Sequence, residues 1–326
     1  MLELRMRDFL EVRHHLDTLE IDYFLVVNPV NVLYLSGLKS TNAILLITPT
    51  AMHVCTDPRY EVAAKSLDNV EVHIGRDLIA LAYDQLHKTT SLAVDEHFSF
   101  AQFKRFQALD QSLIIRSEAN VVEHLRLVKT ESELRQIEIA CTATSEIWSR
   151  LLSDPFIGKS EKQIARRIHA LALELNADDL AFPSIVAAGV NSASPHHVPT
   201  DYVIQKGDFI KCDFGAMIDG FHSDMTRMAI AGAASEWQKE IFEVVTKAQA
   251  EGAAQIRAGI SSKEIDEVAR NVIAEAGFLD YFTHPTGHGI GLEIHEIPIH
   301  GSRDITLAQS MTLTVEPGIY LPGKGG

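Results

Sequence analysis

Short apolar runs alternate with amphipathic stretches through the first third of the chain. Tyr23-Phe-Leu-Val-Val27, Ala43-Ile-Leu-Leu-Ile-Thr48 and Met52-His-Val-Cys55 lie among Asn, Pro and Thr. Runs of this length closed by turn formers read as strands. Met1 to Glu20 carries Glu3, Arg5, Arg7, Asp8, Glu11 and Arg13 among its apolar residues, which reads as an amphipathic helix, since a signal peptide needs an unbroken apolar stretch. Arg59 to Ser66 reads as another helix, and the pattern is α/β. From Val121 to Leu152 the texture becomes one long helical period, with an internal start at Thr130-Glu-Ser-Glu133 that has capping-box spacing. A domain boundary is therefore expected near residue 120, dividing the chain into 1–120 and 121–326.

Gly158-Lys-Ser-Glu-Lys-Gln-Ile164 and Gly259-Ile-Ser-Ser-Lys-Glu-Ile265 open two similar helical periods 101 residues apart, the signature of a doubled unit. Between them, Phe209 to Arg227 forms two β-rich runs around Asp219-Gly220, a strong hairpin signal. With those two residues as the loop, Ile218 pairs with Phe221, Gly215 with Asp224 and Asp213 with Thr226. Asp213 and Asp224 then become diagonal neighbours on one face, with Cβ atoms ~7 Å apart, so two carboxylates can converge on one cation. A polar, solvated face is the competing reading.

The length of 326 residues, 46% of them hydrophobic and 22% charged, fits a globular chain of about two domains, and disordered or fibrous classes are excluded. A net charge of −15 opposes nucleic acid and anionic membrane surfaces as partners. No apolar run reaches the ~18 residues of a membrane span. Cys55, Cys141 and Cys212 are odd in number and sit in unrelated contexts, which fits a reducing compartment and a cytoplasmic protein.

Two further stretches carry chemistry. His288 lies between Gly287 and Gly289, where the backbone can approach an ion closely, and His295 follows seven residues on. The Gly287-His-Gly-Ile-Gly291 run misses phosphate-loop spacing. Met311 to Tyr320 reads as an apolar strand that ends with Glu316 before a Pro-Gly turn. Asp213, Asp224, His288 and Glu316 make a mixed carboxylate and imidazole set suited to Mn, Co, Fe or Zn rather than to Ca.

On these residues the sequence resembles the creatinase/methionine-aminopeptidase family of pita-bread metallopeptidases, and within it the Xaa-Pro dipeptidases (prolidases) and Xaa-Pro aminopeptidases. Asp213-Phe-Gly with Ser223-Asp-Met-Thr-Arg227, Gly287-His-Gly-Ile-Gly291 and Val315-Glu-Pro-Gly-Ile-Tyr320 look like the family's metal-ligand motifs in order and spacing. Tyr34-Leu-Ser-Gly37, Thr56-Asp-Pro-Arg-Tyr60 and Leu125-Arg-Leu-Val-Lys129 look like its smaller domain and linker. The resemblance implies an α/β (α+β) chain, with a small creatinase-type N-terminal domain and a catalytic domain whose curved antiparallel sheet is cradled by helices.

The resemblance further implies that Asp213, Asp224, His288 and Glu316 hold two divalent ions, Mn or Co first and Zn or Fe as alternatives, and that His196 and His295 face a small peptide substrate. The expected reaction is hydrolysis of the bond before proline by a metal-bridged hydroxide, in dipeptides or at the N-terminus of longer peptides, with Glu316 carrying the proton. A homodimer is also implied. The family's fifth ligand, a Glu in a run that follows the Glu-Pro-Gly motif, would lie beyond Gly326, so the chain is expected to be a truncated product or else to lack its final strand by nature, the first favoured because a strand that closes a core and completes a metal site is costly to lose. The alternatives are a family member that binds without catalysis, signalled by lost ligands, and a creatine-type amidinohydrolase, against which retained Asp213, Asp224 and Glu316 argue.

Overall fold

A computed structural model describes residues 9–87, 91–299 and 304–326, so the first eight residues of the expected N-terminal helix lie outside the described residues. The chain divides into two compact units, one ending at Arg126 and the other running from Leu127 to Gly326.

The first unit carries helices α1 (Phe9–Thr18), α2 (Pro29–Ser36), α3 (Glu61–Lys65), α4 (Leu78–Tyr83) and α5 (Phe100–Leu109). Its strands are β1 (Phe24–Val26), β2 (Ala43–Ile47), β3 (Met52–Thr56), β4 (Glu71–Ile74), β5 (Ser91–Asp95) and β6 (Ile114–Glu118). They form one mixed sheet in the order β4-β3-β2-β1-β5-β6. β1 is central, and Phe24, Leu25 and Val26 are all buried, which explains why the sequence there is apolar without alternation. Leu25, Leu46, Cys55, Val94 and Phe106 share one core. The expected helix at Arg59–Ser66 is a 3₁₀ turn at Pro58–Tyr60 followed by α3, with Asp57 accepting from the Arg59 amide at the cap.

The long helical period after Val121 is two helices, α6 (Val121–Leu127) and α7 (Glu131–Leu151). Thr130 is the reason: its backbone is extended, and its hydroxyl and the Glu133 carboxylate complete a capping box. Helices α8 (Glu161–Glu174), α9 (Glu236–Ala254) and α10 (Ser262–Glu275) follow. The second unit's strands are β7 (Asp179–Leu180), β8 (Ile185–Ala188), β9 (Phe209–Phe214), β10 (Ala216–Ile218), β11 (Phe221–His222), β12 (Met225–Ile230), β13 (His288–Gly289) and β14 (Glu296–Ile299). They make the antiparallel ladders β12-β9-β8, β11-β10-β7 and β13-β14.

Period-two alternation in β9 sends Ile210, Cys212 and Phe214 into a core with Ile147 and Leu151 of α7 and Ile164, Ile168 and Leu171 of α8. Phe209 lies on the other face, with Ile241 of α9 and Ala269 and Ile273 of α10. Lys211 and Asp213 share the parity of Phe209 and therefore that second face.

The doubled unit is present in the backbone. Gly158 and Gly259 both have positive φ, 84° and 90°, and each precedes a serine that caps a 14-residue helix through a capping box. The copies even repeat their pairings, Glu161 N to Tyr202 O at 3.1 Å and Ser262 N to Ile305 O at 2.9 Å. Cys55 and Cys212 are buried and Cys141 is exposed, all three as free thiols.

Candidate metal centre

The hairpin adopts the register that the Asp-Gly turn demands. Ile218 pairs with Phe221 and Asp213 with Thr226, and the two turn residues have φ of 50° and 78°, the left-handed pair of a type I′ turn. Gly215 is required between them, because a Cβ there would meet the Ser223 carbonyl oxygen at 1.7 Å. The Ala216 amide donates to the hydroxyls of Thr144 and Ser223, both at 3.0 Å, and this fixes the strand next to Asp224 from the α7 side.

His288 and Glu316 come from two crossing segments. The Thr314 amide donates to the His288 carbonyl at 2.8 Å and the Glu316 amide to the Thr286 carbonyl at 2.7 Å. Met311–Tyr320, expected as a strand, is joined to β13 through one isolated bridge, Gly289 with Leu313, and is not a strand of any sheet. Only glycine fits at 287, where a Cβ would lie 2.2 Å from the Thr314 carbonyl oxygen. The close crossing places His288 Nε2 3.4 Å from Asp224 Oδ2 and 3.3 Å from Glu316 Oε1. Glu316 Oε1 also accepts from the Thr314 hydroxyl at 2.7 Å.

Three carboxylates and one imidazole, with Asp224 and Glu316 facing it directly, set the local charge. Burial, with the Asp224 and Glu316 charges added to it, pushes the Asp213 carboxyl up to about 7. Burial pulls the His288 imidazole down, but hydrogen bonds to Asp224 and Glu316 overcome it and raise His288 to about 10. Burial also opposes ionisation of Glu316, yet His288 and Thr314 outweigh it and hold this carboxyl below its usual range. The centre is an anionic pocket that holds positive charge strongly.

His295 sits beside His288, ring centroids 4.4 Å apart in an edge-on contact, and is exposed. His196 is exposed on the segment that follows the 3₁₀ turn Gly189–Ala193. Burial comes first in depressing the imidazoles of His284 and His295, and for His295 the neighbouring His288 adds to it.

Several polar residues that support this centre are not among the site residues the sequence pointed to. Lys211 is buried, donates to the carbonyls of Ser194 at 2.6 Å and Pro195 at 3.0 Å, and lies 4.9 Å from the centre of the Tyr320 ring. Burial lowers this ammonium to about 8 against the pull of Asp213. The Tyr320 hydroxyl meets His284 Nε2 at 3.0 Å. Asp266 of α10 accepts from the Thr286 amide and hydroxyl at 2.9 and 2.7 Å and holds the segment leading to His288. Lys129, read from sequence as linker, forms a buried ion pair with Glu296 at 3.0 Å, next to His295. A lysine inside an apolar strand, two residues from Asp213, was the one available signal among these.

The donor set fits divalent cations on an observation independent of the motifs. Asp213 Oδ1 is buried without a hydrogen-bond partner among the described residues, a costly state for a carboxylate oxygen unless a cation meets it. Asp224, His288 and Glu316 each bring one ligand atom, all within 4.8 Å of one another.

Carboxylates gathered around an imidazole beside a hairpin and a duplicated helix unit make a donor set for divalent metal, the kind of centre that metal-dependent hydrolases carry. The "Metallopeptidase family M24" profile matches residues 135–326 and the "Creatinase/Prolidase N-terminal domain" profile residues 10–128. The chain belongs to metallopeptidase family M24, with a creatinase/prolidase N-terminal domain ahead of the peptidase domain. It is 33% identical over 314 residues to the Xaa-Pro dipeptidase of Pyrococcus horikoshii, covering 95% of this chain and 89% of that one. It is 34% identical to the Pyrococcus furiosus Xaa-Pro dipeptidase, covering 95% and 90%. The solved structure of an Xaa-Pro dipeptidase from Bacillus anthracis superposes with a TM-score of 0.92 at 33% identity, covering 98% of this chain and 92% of that one. Two domains of the creatinase and pita-bread type, as the resemblance implied, are the fold of this chain. Among the described residues no helix is long and apolar enough to cross a membrane.

Proposed function

We propose that this metallopeptidase hydrolyses the peptide bond before proline in Xaa-Pro dipeptides, using two divalent ions held by Asp213, Asp224, His288 and Glu316. The observation that carries the reading is the convergence of Asp224, His288 and Glu316 beside the unpartnered Asp213 oxygen. The naming of the Pyrococcus relatives as Xaa-Pro dipeptidases supports the substrate class. Bound divalent ions supply a water acidic enough to serve as hydroxide near neutral pH and polarise the scissile carbonyl.

The residues do the rest. Glu316, held by the Thr314 hydroxyl, accepts the water's proton and returns it to the proline nitrogen as the bond breaks. His295 and His196 donate hydrogen bonds to the carbonyl oxygen as negative charge develops there and orient the peptide. A prolyl amide has no N–H and a ring-fixed φ, so recognition rests on these groups rather than on the amide hydrogen that general peptidases read. Manganese is the first metal to test. The chain is expected to cleave an Xaa-Pro dipeptide with Mn²⁺ and to stop with chelator. Cleavage restricted to an Xaa-Pro-Yaa tripeptide would make it an aminopeptidase, and cleavage of neither with any of Mn²⁺, Co²⁺ or Zn²⁺ would overturn the reading.

A further inference from the structure

A second cluster of metal-ligating side chains lies in the first unit, outside the peptidase centre. β3 and β4 run parallel at one margin of the sheet, in a register that pairs His53 with Glu71 and Cys55 with His73. His53, Glu71 and His73 thus project from the same face of adjacent strands. His53 Nδ1 lies 3.1 Å from His73 Nε2 and 3.3 Å from Glu71 Oε2, and the three ligand atoms all fall within 4.8 Å of one another. A tetrahedral ion with ligands at ~2.0–2.2 Å sets neighbouring ligand atoms ~3.3 Å apart, so both separations measured from His53 already match those around such an ion.

The other ring nitrogen of His53 faces the protein interior. His53 Nε2 meets the Thr48 hydroxyl oxygen at 3.4 Å, and that hydroxyl donates to the Ala51 carbonyl at 3.1 Å. That oxygen also accepts from the Thr50 and Ala51 amides at 3.3 and 3.1 Å, so a well-tethered hydroxyl packs against the inner edge of the ring while Nδ1 faces Glu71 and His73. His53 is buried and Glu71 is exposed, so the site is preformed on its inner side and open to solvent on its outer side.

We infer that His53, Glu71 and His73 form a three-ligand site for a late first-row divalent cation, Zn²⁺ foremost, that clips edge strand β4 to β3. Two imidazoles and one carboxylate suit Zn²⁺, leaving a fourth position for solvent. The inference is independent of the peptidase centre, which shares none of these residues.

The test uses the full chain and Zn²⁺ alone. After equilibrium dialysis against Zn²⁺, the number of ions bound per chain is compared among wild type, His73→Ala and Glu71→Ala, with circular dichroism confirming the fold. His73→Ala is expected to bind one ion fewer than wild type, and Glu71→Ala to lose the same ion or to hold it at least tenfold more weakly. Equal zinc content and affinity in wild type and His73→Ala would overturn the site and leave the cluster as a hydrogen-bonded pair of histidines. Should His73→Ala fail to fold, Glu71→Ala decides alone, since its side chain is 62% exposed, and unchanged zinc content and affinity there would overturn the site equally.

Discussion

The Glu161 carboxylate accepts twice from Thr200, from its amide at 2.9 Å and from its hydroxyl at 2.7 Å. It also accepts from the Ala188 amide at 2.8 Å, Asn191 Nδ2 at 3.0 Å and His197 Nε2 at 2.8 Å, and it is wholly buried. One side chain thus pins both ends of the segment that carries His196. Glu161→Ala leaves these donors without an acceptor and is expected to cost about 3–5 kcal/mol of stability, with kcat/KM for the dipeptide falling at least tenfold. Burial raises the Glu161 pKa, but the five hydrogen bonds outweigh it and hold it below its usual range. A depressed folded pKa gives stability that is present above the unfolded value and lost as pH falls through the folded one. The gap in melting temperature between wild type and Glu161→Ala should therefore shrink below about pH 4.5. Superimposable melting curves at pH 7 would contradict this role.

Lys211→Met tests the buried ammonium. The Ser194 and Pro195 carbonyls lose their donor, at about 1–3 kcal/mol for each group left unsatisfied, and the residues just before His196 lose their tether. The variant is expected to fold, to bind metal, and to show a raised KM for Xaa-Pro. A KM equal to that of wild type would remove Lys211 from the positioning of substrate.

Metal removal should make stability fall as pH rises. Asp213, raised to about 7, contributes stability fully present below its unfolded pKa and lost as pH climbs through 7. His288, raised to about 10, is lost in the same direction at higher pH. Chelated protein is therefore expected to lose more melting temperature between pH 5.5 and 8.5 than chelated Asp213→Asn, and Mn²⁺ should restore more at the higher pH because ions compete with protons for the same atoms. Parallel pH profiles for the two chelated proteins would refute the assignment.

Gly215→Ala probes the hairpin. The added methyl would sit 1.7 Å from the Ser223 carbonyl oxygen, so the strand bearing Asp213 and the link between β11 and β12 that bears Asp224 must part. We expect a loss of ~3 kcal/mol or more and metal affinity at least tenfold weaker, read by melting curves and metal titration. Wild-type affinity in this variant would show that the two carboxylates do not act together.

Local order was legible in the chain and remote order was not. Asp219-Gly220 fixes its own turn and so the pairing of Asp213 with Thr226, all within a few residues. The capping box at Thr130 was read correctly as a helix start, yet the apolar period running across it hid the break between α6 and α7. Met311–Tyr320 has a strand's composition but meets the backbone of β13 through one bridge only, a matter of what lies across from it. The roles of Glu161, Lys129 and Lys211 depend on partners up to 167 residues away, and only Lys211, a lysine inside an apolar strand, stands out locally. His53, Glu71 and His73 likewise become neighbours only through the parallel register of β3 and β4.

The two copies that begin at Gly158 and Gly259 divide the four candidate ligands evenly, Asp213 and Asp224 falling in the first and His288 and Glu316 in the second. Ions bound by all four would stitch the copies together across a boundary otherwise joined by the peptide chain and by packing. Occupancy of the centre and cohesion of the peptidase domain then become one quantity. A polypeptide cut in the turn between β12 and α9 would be expected to hold together more firmly while loaded than once stripped, when only packing joins the pieces.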